Sequence, residues 1–139
     1  MRAIFIFYFM IIFAGLVHAA EERIIMVDRC EMKVIVVSRP AELQNGLLGQ
    51  TERTFHYDGM LFAMQRNGRK YFHTMGMRMN IRLVGVVQLS NGDYSTIGSV
   101  IKGTSGLKEI IIDAPDVLEI PENKWTMYFQ RCIKAKAQR

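Results

Sequence analysis

The sequence predicts a mostly β fold: a compact, barrel-like antiparallel sheet domain with one short helix near residues 39–45. Three observations predict it. Turn-forming pairs recur at short intervals: Asp58-Gly59, Asn67-Gly68, Asn91-Gly92, Gly103 to Gly106, Pro115-Asp116 and Pro121-Glu122-Asn123. The runs between them are short and apolar, with Ile and Val prominent. One stretch alone carries the start and stop signals of a helix.

In chain order, Arg23–Asp28 and Met32–Val37 read as strands rich in Ile and Val. Ser38 can cap a helix start, Pro40 suits a first turn, and Asn45-Gly46 supplies a left-handed stop. Gly59–Met64 and Arg69–Thr74 flank Asn67-Gly68, a pair that tolerates the positive φ of a tight turn, and so predict a hairpin. Ile81–Leu89 and Tyr94–Ile101 predict a second hairpin around Ser90–Asp93. Ile110–Ile112 and Val117–Ile120 read as short strands, and Trp125–Ile133 as the last one before a polar, basic tail.

The N-terminus reads as an export signal. Arg2 is the positive region, Ala3 to Val17 is an uncharged apolar run, and Val17-His18-Ala19 sets up cleavage after Ala19. A spanning helix needs about 20 apolar residues, and this run ends sooner, at a His and then Glu21-Glu22-Arg23. The expectation is a signal peptide over 1–19 and a single β-rich domain over 20–139, periplasmic or secreted, with no stable membrane anchor after cleavage. That leaves 120 residues, enough for one self-sufficient core.

Cys30 and Cys132 are the two cysteines, 102 residues apart. In an oxidising compartment such a pair predicts a disulfide, and no C-x-x-C suggests a redox dithiol. The formal charge of +5 is mildly basic and unevenly spread. No acid lies between Asp58 and Asp93, where Arg66, Arg69, Lys70, Arg78 and Arg82 stand. Five acids fall between Glu109 and Glu122. Neighbouring strands that pair these charges are the favoured reading over a basic face for an anionic partner. No zinc spacing, phosphate loop or nucleic-acid motif is present, and no nucleic-acid partner is expected.

Gly46-Leu47-Leu48, Gly59-Met60-Leu61-Phe62, Tyr71-Phe72-His73-Thr74-Met75, the Asn91-Gly92 turn and Val117-Leu118-Glu119-Ile120-Pro121 follow one another in an order that resembles the domain-of-unknown-function 192 family over about residues 33 to 125. The resemblance implies a compact barrel-like fold with a short helix and no established reaction. The chain departs from the family at Leu48, Thr74, Glu122-Asn123 and Ile81-Arg82. At Ile81-Arg82 the family has a Leu-Asp pair, so Arg82 reverses a local charge.

The most unusual local feature is His73-Thr74-Met75-Gly76-Met77-Arg78-Met79. On a strand, His73, Met75, Met77 and Met79 would line one face and offer soft donors to Cu(I). Core packing by methionine is the simpler reading. For a hydrolase, His56 beside Asp58, or His73, would be the base, but no nucleophile–base–orienter set is evident. Asp116 and Glu119 read as a solvated strand edge. Trp125, Tyr128 and Phe129 read as core rather than as a sugar platform. The sequence thus points to an exported accessory or binding module with an unknown protein or small-molecule partner. A Cu(I)-binding protein and a small hydrolase are the alternatives.

Overall fold

The computed structural model describes residues 21–38, 47, 49–104, 106, 109–134 and 136–137. The predicted signal peptide and the predicted helix at 39–45 lie outside these residues. Nine strands are described: β1 (Glu21–Val27), β2 (Cys30–Val37), β3 (Gly59–Phe62), β4 (Arg69–His73), β5 (Ile81–Gln88), β6 (Tyr94–Gly103), β7 (Glu109–Asp113), β8 (Asp116–Pro121) and β9 (Lys136–Ala137). A short helix, α1 (Glu122–Lys124), runs straight into one π-helical turn (Trp125–Phe129).

Six strands form a ring in the order β1-β2-β3-β8-β5-β6, and β1 returns to β6. The predicted β5–β6 hairpin is present, with Gln88 opposite Tyr94. The sheet is mixed, not purely antiparallel: β2 runs parallel to β3, and β1 meets β6 in parallel at Val27 and Tyr94. β9 adds to β6 at Ser99 and Val100.

The hairpin predicted at Asn67-Gly68 does not form. β3 pairs with β2 and β8, while β4 leaves the ring and pairs with β7 as a separate two-stranded ribbon. Burial explains the choice. All four residues of β3 are buried, so it needs a neighbour on each edge and cover on each face. β4 alternates between exposed and covered side chains, as a ribbon lying on a surface does.

Alternation along the ring strands sorts the core into two layers. The inner layer takes Val27, Met32, Val34, Val36, Leu61, Val84, Val86, Leu118 and Ile120, contributed from around the ring. Trp125, Phe129 and Ile133 close it from one end. Trp125–Ile133 was expected to be a strand, but the spacing of these three residues, four apart, is that of one helical face. The outer layer takes Ile35, Val37, Met60, Phe62, Ile81, Leu83 and Val117 from the opposite strand faces. It is covered by Ile110 and Ile112 of β7 and by Leu47, Phe55, Met77 and Met79 from two loops. Two glycines permit close approach. A Cβ on Gly59 would stand 2.7 Å from the Glu119 carbonyl oxygen, and one on Gly85 would stand 2.5 Å from the Ala114 Cβ.

The charge pairing that the sequence suggested forms in part: among the described residues only Arg82 of that basic run makes an ion pair, while Arg69 faces an acid in register. Arg69 stands opposite Asp113, and His73 opposite Glu109, across β4 and β7. Arg82 donates two hydrogen bonds to Glu122, at 2.6 and 2.8 Å, with its guanidinium 5.9 Å from the Trp125 ring centroid. That fork fixes α1 and aims Trp125 into the ring. Arg82 thus anchors the helical plug. The ammonium of buried Lys70 is satisfied by the carbonyls of Arg66, Gly68 and Ala114.

Cys30 and Cys132 form a disulfide with a Cα–Cα distance of 5.7 Å, joining the start of β2 to the end of the helical plug. It closes a loop of 102 residues. Reduction is expected to lower unfolding stability by about 4–5 kcal/mol in the chain-entropy account. Urea titrations with and without reductant check this; coincident transitions would contradict it.

Candidate functional site

Two loops rise from the outer layer and face each other. The first is anchored by Leu47 and Phe55, both buried in that layer. Between them Thr51 and Thr54 lock a turn: Thr54 N–H donates to the Thr51 carbonyl at 3.1 Å, and Thr51 N–H to Thr54 Oγ1 at 2.8 Å. The second loop is anchored by Met77 and Met79, which alternate with exposed Arg78 and Asn80. Its path is fixed by a turn in which Met77 N–H donates to the Thr74 carbonyl, and by Glu122 N–H donating to the Asn80 carbonyl. Between the loops lies an open cleft of about 520 Å³ lined by Thr51, Glu52, Arg53, Arg78, Met79 and Asn80. Neither Arg53 nor Arg78 has a carboxylate within salt-bridge distance among the described residues.

Glu119 lies beneath the first loop. It was expected on a solvated edge with Asp116, yet both are buried: Glu119 is 5% exposed and Asp116 2%. β8 is an inner strand of the ring, between β3 and β5, so it has no edge to protect. Asp116 Oδ1 accepts the Gln65 N–H at 2.7 Å, and Gln65 sits in the left-handed region at a φ of 51°. Glu119 points into the outer layer, level with Met60 of β3 and Leu83 of β5. Burial raises its carboxyl to about 7, against which the Leu47 N–H hydrogen bond acts in the lowering direction. Its Oε2 has no hydrogen-bond partner among the described residues. The first cleft wall therefore begins at a backbone group bonded to a buried, titratable acid.

The four proposed copper donors are not brought onto one face. β4 ends at His73, and Gly76 turns the chain at a φ of 78°. His73 points outward opposite Glu109, and Met75 is 54% exposed in the turn. Met77 and Met79 face the other way, into the outer layer. The strand alternation on which the copper reading rested is therefore absent. No group of three or more His, Cys, Asp or Glu positioned to hold a metal occurs among the described residues.

The groups considered for hydrolysis are also dispersed. His56 is exposed, and its neighbour Asp58 accepts the Lys33 N–H at 2.8 Å while Lys124 Nζ lies 3.7 Å away. Tyr57 donates to Glu22. Trp125 and Phe129 are core residues, as expected, whereas Tyr128 is exposed.

Among known proteins, no family model matches the chain, and no curated protein does. The chain is similar to a crystal structure from Sinorhizobium meliloti 1021 of a protein described as a candidate transcription regulator. The two share 17% identity with a TM-score of 0.54, over 70% of this chain and 74% of that one. At that identity the likeness concerns the fold alone.

Glu119 makes stability depend on pH. Its folded carboxyl holds its proton to about 7, above the ordinary 4.5. The stability of the neutral form is therefore complete below about 4.5 and is lost as pH rises to about 7, by about 3 kcal/mol. Glu119→Gln is expected to remove that slope. Urea midpoints from pH 4 to 8 for both proteins test it; parallel curves would contradict it.

Proposed function

We propose that this chain is an exported, non-enzymatic accessory module, periplasmic or secreted, that binds a small molecule in the cleft between its two outer loops. One observation carries the reading: a cleft lined by polar and cationic side chains stands on a ring whose helical plug is stapled by a disulfide. Binding groups on loops held by a rigid frame are a common design, and the cleft volume falls within the usual range for small ligands.

Redox chemistry supports the exported compartment. A structural disulfide persists in oxidising surroundings, in keeping with the N-terminal export pattern. The resemblance to the domain-of-unknown-function 192 family supports the same reading of a compact exported β module without an assigned reaction. The description of the Sinorhizobium meliloti protein is not carried over, since this chain shows no nucleic-acid motif.

Expression of the full-length chain in a bacterium with an oxidising periplasm tests export. The expected product is periplasmic, begins at Ala20 and has no titratable thiol. A cytoplasmic product of full-length mass with two free thiols would overturn the proposal.

A further inference from the structure

We propose that the cleft between the outer loops is an oxyanion site, taking a small organic molecule through a carboxylate or phosphate group held by Arg53 and Arg78. The inference rests on the binding reading above and adds the ligand's chemical class.

Among the described residues, five cations are held by partners within the fold. Arg23 is held by Glu21, Arg82 by Glu122, Lys33 lies near Glu22, and Lys124 near Asp58. Lys70 is enclosed by three carbonyls. Arg53 and Arg78 are exposed and, like Arg29, Arg66, Arg69 and Arg131, meet no carboxylate within 4 Å among the described residues, but these two line one cleft from separate loops. A guanidinium presents a planar fork of donors that matches the two oxygens of a carboxylate or phosphate.

The remaining lining residues complete the preference. Thr51 and Asn80 add polar side chains beside the arginines, and the mostly buried Met79 is the one apolar residue of the described lining. Among the described residues Glu52 is the one acid of the lining, so there two positive charges face one negative charge. The loops themselves are fixed from below. Leu47 and Phe55 pin one, and Met77 and Met79 pin the other, which limits the ordering cost of binding.

The test is a backbone NMR titration of the purified, oxidised protein with succinate and with inorganic phosphate, alongside neutral and cationic small molecules. Saturable shifts confined to residues 51–53 and 78–80 are expected for an anion, weakening with added salt. Whether succinate or phosphate binds more tightly identifies the oxyanion. Arg53→Gln and Arg78→Gln are each expected to weaken binding about tenfold, the equivalent of losing one charge-assisted hydrogen bond. Arg53→Lys with Arg78→Lys is expected to retain part of the affinity that the Gln variants lose, while thermal midpoints stay unchanged. Anion shifts spread over all basic residues, or insensitive to both Gln variants, would overturn the oxyanion site. Saturation of the cleft by neutral or cationic molecules alone would also overturn it and leave the binding reading intact. Silence of the cleft toward every class would overturn both.

Discussion

Closing the ring is the constraint on which the rest of the structure depends. β1 and β6 meet through one parallel pair, Val27 and Tyr94, so backbone pairing alone gives little hold at this seam. Side chains supply the remainder. Asp28 N–H donates to the Tyr94 carbonyl, and the Asp28 carboxylate accepts from Thr96 N–H and Oγ1 on β6 and from Lys134 N–H of the C-terminal segment. Two residues further on, Cys30 is bonded to Cys132. One carboxylate and one covalent bond thus tie β1, β2, β6 and the helical plug at a single corner. Without that corner the inner apolar faces of six strands would open to water.

Where the ring is apolar on both faces, along β2, β3, β5 and β8, it must also be covered outside. This requirement shapes the sequence between the ring strands. β4 and β7 leave the ring to lie over it, and the loops at 47–55 and 74–80 each send two apolar side chains down as anchors. The side chains between those anchors have to face outward. Arg53 and Arg78 therefore reach the cleft as a consequence of how the outer layer is sealed. Packing and the candidate binding surface are two sides of the same alternation.

Much of this was legible in the sequence because period-2 burial leaves a clear mark. The Ile and Val runs located β1, β2, β5, β6, β7 and β8, and the two cysteines located the staple. Pairing was less legible. Asn67-Gly68 is a strong local turn signal, yet the need to cover β3 on both edges outweighed it. Trp125, Phe129 and Ile133 carried a helical spacing that their aromatic and β-branched character masked. Asp116 and Glu119 are three apart, so a strand cannot turn both to one face; that parity was the available sign that an edge reading was wrong. The cleft itself was not legible, because Arg53 and Arg78 lie 25 residues apart and are brought together only by the outer layer.

Glu119 joins these two themes. A carboxyl in a strand that is otherwise apolar costs desolvation, and β8 bears that cost at the centre of the ring wall. A hydrophobic residue there would pack as well but would offer nothing to the Leu47 N–H. Leu47 begins the loop that carries Thr51 to Arg53, and its carbonyl accepts the Gln50 N–H at 3.0 Å. The hydrogen bond to Glu119 therefore fixes the base of one cleft wall by its backbone, where an apolar contact alone would permit sliding. With its carboxyl raised to about 7, the strength of that bond changes across the neutral range: the carboxylate is the better acceptor and the less stable buried form. Ionising Glu119 thus makes it the better acceptor for the Leu47 N–H while it costs the fold stability.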